Sequence, residues 1–286
     1  MASILAALLL FAELAIAQFV AEPTNFTTKA GHAGINVRYK EVPTGICEQD
    51  PNVKSYSGYA DVSENEHIFW WFFEARNVDA TTAPLTIWIN GGPGSSSMIG
   101  LFQENGPCGV DVDGNVYNNP YAWNNVSNMI FIDQPTTTGF SYSIPVPGYQ
   151  DVNTNSLVAL PNATCPDYAD SSTCGTYNVY NTTLTANSTV AAAPNFYLTL
   201  QAFTGAFPQY SSNGVYFATE SYGGHYGPIF SRYILEQNEL NLAGTAPIDL
   251  KAVSVHLPAP IQYQKNPTLA SGPDSQGYLF YPEWRV

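Results

Sequence analysis

The sequence predicts an α/β fold built on a central, mostly parallel sheet, and three observations lead to this prediction. Two short apolar runs, Leu85 to Ile89 and Met129 to Ile132, are rich in β-branched and aromatic residues, which is typical of strands buried on both faces. A third run occupies residues 214–218, and an amphipathic helical pattern follows it. Buried strands that alternate with helices indicate a parallel sheet.

Length and composition allow one domain with a substantial core. The chain has 286 residues, of which 45% are hydrophobic and 14% aromatic, enough apolar material for a single buried core. Acidic residues outnumber basic ones by 23 to 9, giving a formal net charge of -14. Such a surface disfavours nucleic acid and anionic membranes as partners.

The N-terminus resembles a secretion signal. Residues 1–17 form an apolar run that ends in the small-x-small pattern Ala15-Ile16-Ala17, and we expect cleavage after it. The run is too short for a membrane anchor. Five Asn-x-Ser/Thr sequons also favour export and are predicted N-glycosylation sites: Asn25, Asn125, Asn162, Asn181 and Asn187. We therefore expect a secreted protein, or a vacuolar one that travels the secretory route.

Four cysteines would pair in an oxidising compartment, and the sequence leaves three connectivities open. We favour Cys165 with Cys174, because the two lie close together in a polar loop. The remaining cysteines are Cys47 and Cys108. No cysteine or histidine spacing indicates a metal site, and no cofactor is expected.

Other segments are predicted around these strands. Residues 57–62 and 68–73 read as an antiparallel hairpin. Residues 145–190 are rich in Pro, Asn, Thr and Ser, and we interpret them as a surface insertion that forms a cap. After them an apolar stripe at helical spacing precedes Pro208, which should end the helix; it comprises Phe196, Leu200, Phe203 and Phe207.

A serine stands where the third strand gives way to a helix. In the turn Thr219-Glu-Ser221-Tyr-Gly223, a nucleophile would project from the carboxyl edge of the sheet at the positive end of the following helix. Gly223 fits the tight turn, whereas Thr219 is bulkier than the usual glycine. The serine of such a turn can also be a simple helix cap, so the turn alone leaves both interpretations open.

A glycine-rich turn follows the first buried strand, with the sequence Asn90-Gly-Gly-Pro-Gly-Ser-Ser-Ser97. Backbone N–H groups in a turn of this kind can bind an oxyanion. A phosphate-binding loop is the alternative. It is disfavoured, because no lysine follows the glycines and a proline interrupts them.

Four motifs occur in order along the chain, and they are Asn90-Gly-Gly-Pro-Gly, Glu104-Asn-Gly-Pro, Asp133-Gln-Pro with Gly139-Phe-Ser-Tyr142, and Glu220-Ser-Tyr-Gly-Gly-His-Tyr226. Together, and over residues 45–264, they resemble the serine carboxypeptidase family, which has an α/β-hydrolase fold with flanking helices. The resemblance implies a serine peptidase that removes C-terminal residues from peptides at acidic pH, through an acyl-enzyme on Ser221.

The same resemblance implies roles for further residues. The backbone N–H groups of Gly92 and Tyr222 would form the oxyanion hole. A trio would bind the C-terminal carboxylate of the substrate: Asn90, Glu104 and Glu220. A glutamate donates a hydrogen bond to a carboxylate only while protonated, which implies an acidic optimum.

The chain also departs from the family pattern. Ser95 replaces a common cysteine, and residues 136–138, all threonine, replace a glycine-containing stretch near the substrate pocket. No histidine stands in the context of the family's catalytic base, since His225 lies on the nucleophile's own helix and faces away from Ser221. Asp274 lies in a Ser-Gly-Pro-Asp-Ser loop that is typical of a turn.

The catalytic Asp and His are therefore not found in this sequence. We interpret the chain as a C-terminally incomplete α/β-hydrolase domain, residues 18–286, which is inactive as it stands and prone to aggregate. Two alternatives remain open: a noncatalytic secreted glycoprotein that binds C-terminal carboxylates, and an acyltransferase or lyase on the same scaffold. The sequence indicates no oligomeric state.

Overall fold

The computed structural model describes residues 19–256 except residues 23, 180 and 182. The predicted signal peptide and Asp274 lie outside these residues. The described chain divides into two compact units. The larger comprises Phe26–Tyr142 and the described part of Thr183–Val286, and the smaller comprises Ser143–Thr182 and the described part of Met1–Asn25.

Thirteen strands are described. In chain order they are β1 (Thr27–Ala30), β2 (Asn36–Glu41), β3 (Ser55–Ser63), β4 (Glu66–Phe73), β5 (Leu85–Ile89), β6 (Cys108–Val110), β7 (Val116–Asn118), β8 (Asn128–Ile132), β9 (Pro145–Gln150), β10 (Leu157–Ala159), β11 (Cys174–Asn178), β12 (Val215–Glu220) and β13 (Leu250–His256). The described α-helices are α1 (Met98–Gln103), α2 (Thr189–Ala206) and α3 (Gly223–Leu240).

The larger unit contains an eight-stranded sheet in the order β1-β2-β3-β4-β8-β5-β12-β13. Its last four strands run parallel, while β1 to β4 extend it antiparallel. The predicted α/β fold is confirmed, with the parallel strands on the side that carries the serine turn. The predicted hairpin is also present as β3 and β4, joined by a two-residue turn.

Helices α2 and α3 cover one face of the parallel strands. The rings of Phe196 and Phe230 lie 5.1 and 6.3 Å from that of Phe217 on β12. All three side chains are almost completely buried, and burying each one contributes about 1.5–3 kcal/mol. A second cluster covers the opposite face and includes Trp88 and Phe131. The parallel strands that lie between these two apolar clusters are largely buried on both faces, which explains their nearly continuous apolar runs.

Helix α2 begins earlier than the apolar stripe suggests. Ser188 caps it by accepting a hydrogen bond from the Ala191 N–H at 3.2 Å. The helix ends at Ala206, two residues before Pro208, as predicted from the helix-breaking effect of proline. A serine at this position is a sequence signal for the start of the helix, and the spacing of apolar residues alone does not reveal it.

The smaller unit has its own sheet, in which β9 pairs with both β10 and β11. Cys165 and Cys174, the pair favoured from the sequence, are joined by a disulfide here. In the larger unit Cys47 is bonded to Cys108. The assignment of residues 145–190 as a cap stays a prediction.

Candidate active site

Ser221 lies between β12 and α3, in the strand-turn-helix context that its sequence predicts. Its φ is +54°, a left-handed conformation that is rare for residues other than glycine. The Ser221 N–H donates to the carbonyl of His256 at 3.0 Å, and the residue is exposed to solvent. A strained, exposed serine after a buried strand is the geometry of a nucleophile elbow.

The bulk of Thr219 is accommodated by the glycine on the other side of the turn. A Cβ at Gly223 would collide with Thr219 Oγ1. Because Gly223 has no side chain, the fully buried threonine fits where a glycine is usual. The Thr219 hydroxyl forms no hydrogen bond among the described residues.

The glycine-rich loop meets the serine turn through its backbone. A Cβ at Gly91 would lie 2.6 Å from both the Tyr222 nitrogen and the Glu220 carbonyl oxygen, so only glycine permits this approach. The next loop residue, Gly92, has φ +108°, and the Gly94 N–H donates to Tyr226 Oη at 3.3 Å. The two predicted oxyanion donors, on Gly92 and Tyr222, therefore belong to segments in direct contact.

Asn90 links this loop to the carboxylates. Its side chain is only 2% exposed, and its Nδ2 donates to Glu220 Oε1 at 2.7 Å. Its Oδ1 accepts from Trp88 Nε1 at 2.8 Å and from the Gly100 N–H at 3.0 Å. The amide is therefore fixed in one orientation, with its donor directed at Glu220.

Glu104 lies in the same cluster. Burial is the main cause that raises the pKa of its carboxyl group, and the charge of Glu220 raises it further. Hydrogen bonding to Asn90 and the charge of His256 act in the opposite direction. The raised pKa means that Glu104 keeps its proton to higher pH than an exposed glutamate. The structure thus brings the three predicted carboxylate-binding residues together.

Asp133 supports the site in a way that its motif did not reveal. Its side chain is fully buried. Oδ1 accepts from the Ser97 N–H at 2.7 Å and from Ser96 Oγ at 2.8 Å, while Oδ2 accepts from the Phe140 N–H at 2.9 Å. Burial raises the pKa of this carboxyl group. Asp133 therefore connects the glycine-rich loop to the loop that follows β8. Its position directly after a buried strand is the sequence feature that could have indicated this supporting role.

The threonine stretch that departs from the family pattern lies beside the glycine-rich loop. Thr137 has φ +75°, which is strained for a β-branched residue. Thr138 Oγ1 lies 3.8 Å from the point where a Gly94 Cβ would stand. The Thr136 carbonyl accepts from Thr185 Oγ1 at 2.8 Å.

The described histidines do not complete a triad. The ring of His225 packs against that of Tyr222 at 4.6 Å, and His67 Nδ1 is paired with Asp61 at 2.6 Å. Among residues 19–256, apart from the gaps, no hydrogen bond joins the Ser221 hydroxyl to a histidine. The expectation that His225 faces away from Ser221 stays a prediction.

The predicted glycosylation sites differ in their surroundings. Asn25, Asn162, Asn181 and Asn187 are exposed. Asn125 is half-buried, its Nδ2 donates to the Pro120 carbonyl at 2.8 Å, and Ser127 of the same sequon is buried. Glycosylation itself stays a prediction at all five.

A shallow cavity of about 170 Å³ lies on the sheet face opposite α2 and α3, and it does not contain Ser221. It is lined by Thr86, Trp123, Tyr216, Phe217, Ala218, Ala252 and Ser254. The described part of the chain contains no cluster of three metal-ligating side chains. None of its helices is long and apolar enough to cross a membrane.

Comparison with known proteins gives consistent similarities. The family model for serine carboxypeptidases matches residues 43–269. The chain is 44% identical over 220 residues to carboxypeptidase S1 homolog A of Arthroderma otae, covering 72% of this chain and 33% of the relative. It is 45% identical over 203 residues to carboxypeptidase S1 of Penicillium janthinellum, covering 71% and 38%.

A solved structure is also similar. It is Kex1(delta)p, a prohormone-processing carboxypeptidase from Saccharomyces cerevisiae, with 26% sequence identity and a TM-score of 0.53. The match covers 72% of this chain and 39% of that one. The chain spans about a third of the length of the curated relatives it matches.

Proposed function

Because the chain belongs to the serine carboxypeptidase family, we propose that it carries the nucleophile and the carboxylate-binding part of a site that removes C-terminal residues from peptides. One observation carries the proposal: Asn90, Glu104 and Glu220 form a cluster beside the exposed Ser221. A carboxylate receptor next to a nucleophile selects the last peptide bond of a chain.

In this proposal the substrate's terminal carboxylate receives hydrogen bonds from the Asn90 amide and from a protonated glutamate. The raised pKa of Glu104 makes it the proton carrier. At higher pH two ionised glutamates would repel the substrate instead. The scissile carbonyl would then stand over Ser221, with its oxygen directed to the N–H groups of Gly92 and Tyr222.

Hydrolysis further requires a base that takes the proton of the Ser221 hydroxyl, which is a weak nucleophile without one. The described residues supply no histidine to this hydroxyl. Without the base, the oxyanion donors and the binding site retain only about 10³- to 10⁴-fold acceleration over water. We therefore expect this chain to bind peptide carboxylates without efficient turnover, which also favours the noncatalytic carboxylate-binding glycoprotein as a second candidate.

The cellular location is part of the proposal. The leader-like residues 1–17, the five sequons and two disulfides support a secretory route. Peptide or protein C-termini are the proposed partners.

The test compares binding of an N-acylated dipeptide with that of its C-terminal amide between pH 4 and 8. We expect the chain to prefer the free acid at acidic pH, and Glu104→Gln with Glu220→Gln to shift that pH profile. Equal binding of acid and amide would reject the carboxylate site.

A parallel assay covers the nucleophile. The chain and its Ser221→Ala variant are compared for release of the C-terminal amino acid at about pH 4 to 6 and for labelling by a fluorophosphonate. We expect no difference. Release or labelling that depends on Ser221 would show that the chain does supply a base.

A further inference from the structure

His256 occupies a fixed place at the carboxyl edge of the sheet. It is the last residue of β13, and it pairs in register with Glu220 of β12. Its carbonyl accepts the Ser221 N–H at 3.0 Å. The same residue therefore holds the nucleophile turn by its backbone and stands beside the carboxylate cluster.

The side chains of His256 and Glu220 lie on one face of the sheet. Register partners of parallel strands point to the same side, and side chains alternate along each strand. Ala218 and Ser254, each two positions earlier, line the same cavity. Glu220 and His256 therefore lie on the same face as the cavity, at the carboxyl edge of the sheet next to Ser221.

Two carboxylates lie next to this histidine among the described residues. Glu220 is its register partner on β12, and Glu104, from the segment after α1, is close enough that the charge of His256 lowers its pKa. None of the ion pairs among the described residues brings a lysine or arginine to either glutamate. A protonated histidine would add one positive charge to this cluster.

We propose that His256 is a specificity-determining residue that adds positive charge to the cluster of Asn90, Glu104 and Glu220, so that free C-terminal carboxylates are selected over neutral C-termini in mildly acidic solution. The inference rests on the proposed function, because it concerns the same carboxylate site. Its physical basis is the charge balance. Two glutamates beside a neutral amide repel a carboxylate once they ionise, and an imidazolium at their side offsets part of that repulsion.

Binding of an N-acylated dipeptide acid and its amide is measured by calorimetry at pH 4.5 to 8 for the parent chain, His256→Gln and His256→Lys. His225→Gln is the matched control, since His225 is also exposed and packs on Tyr222. We expect His256→Gln to weaken acid binding about fivefold at pH 5 to 6, near the upper limit for a partly exposed charge pair. Amide binding should not change.

The lysine variant provides the rescue. Because its charge persists to higher pH, His256→Lys should keep the preference for the acid at pH 5 to 6 and extend it toward pH 8. His225→Gln should behave like the parent chain. His256 is exposed, so both substitutions should leave the thermal unfolding transition in place.

The outcomes are distinguishable. If the parent prefers the acid and His256→Gln retains the same acid-to-amide ratio, the role of His256 is wrong while the carboxylate site stands. If the parent shows no preference at any pH, both are rejected. As a second measurement, the His256 ring resonance, assigned by its loss in His256→Gln, should shift on adding the acid and not the amide; an unmoved resonance during acid binding would also refute the inference.

Discussion

Replacing Asn90 by alanine should destabilise the fold strongly, because the buried amide satisfies two buried donors. The variant leaves Trp88 Nε1 and the Gly100 N–H, now bonded to Asn90 Oδ1 at 2.8 and 3.0 Å, without acceptors. Each unsatisfied buried donor costs about 1–3 kcal/mol, so the free energy of unfolding should fall by about 2–6 kcal/mol. A domain's total stability is only about 5–15 kcal/mol.

The assay is urea unfolding followed by tryptophan fluorescence and circular dichroism. Asn213→Ala is the control, because Asn213 is exposed and, among the described residues, its side chain donates only to the Thr81 carbonyl and to Ser212. Its effect should stay within about 0.5 kcal/mol. Asn90→Asp keeps the acceptor but places a carboxylate beside Glu220, and it should approach parental stability only at acidic pH. A loss below about 1 kcal/mol in Asn90→Ala would refute the reasoning, since it would mean that both donors find other partners.

Three further predictions concern the turn, the cluster and the sheet edge. Ser221→Gly should be more stable than Ser221→Ala by about 0.5–1 kcal/mol in urea unfolding, because glycine avoids the left-handed penalty at φ +54° at some entropic cost; equal stabilities would argue against the strained turn. Burial and Glu220 raise the pKa of Glu104, so its contribution to stability is present below the ordinary glutamate pKa and is lost as pH rises through the raised value. Glu104→Gln should therefore flatten the stability profile between pH 4 and 7, and a profile as steep as the parent's would count against the assignment. Tyr216 is 39% exposed and lines the cavity beside β13, so the chain should bind hydrophobic dyes; a chain that binds no dye would contradict this.

The sequence determined much of the fold and the identity of the candidate site residues. Nearly continuous apolar runs predicted β5, β8 and β12, because both faces of these strands pack against other parts of the protein. Pro208 predicted the end of α2, since proline removes a backbone donor. The family resemblance of the motifs, taken in order, implied the carboxylate trio and Ser221, and their roles stay predictions.

Only the tertiary structure decided how these residues meet. The distance of 2.7 Å between Asn90 and Glu220 joins residues 130 positions apart, and no local pattern specifies such a contact. The buried links of Asp133 depend on the pairing of β5 with β8. The position of His256 beside the cluster depends on the register of β13 with β12. Local propensity acts over a few residues, whereas strand register is set by packing across the whole sheet. The sequence could therefore indicate the candidate residues, but only the fold determined which of them are in contact.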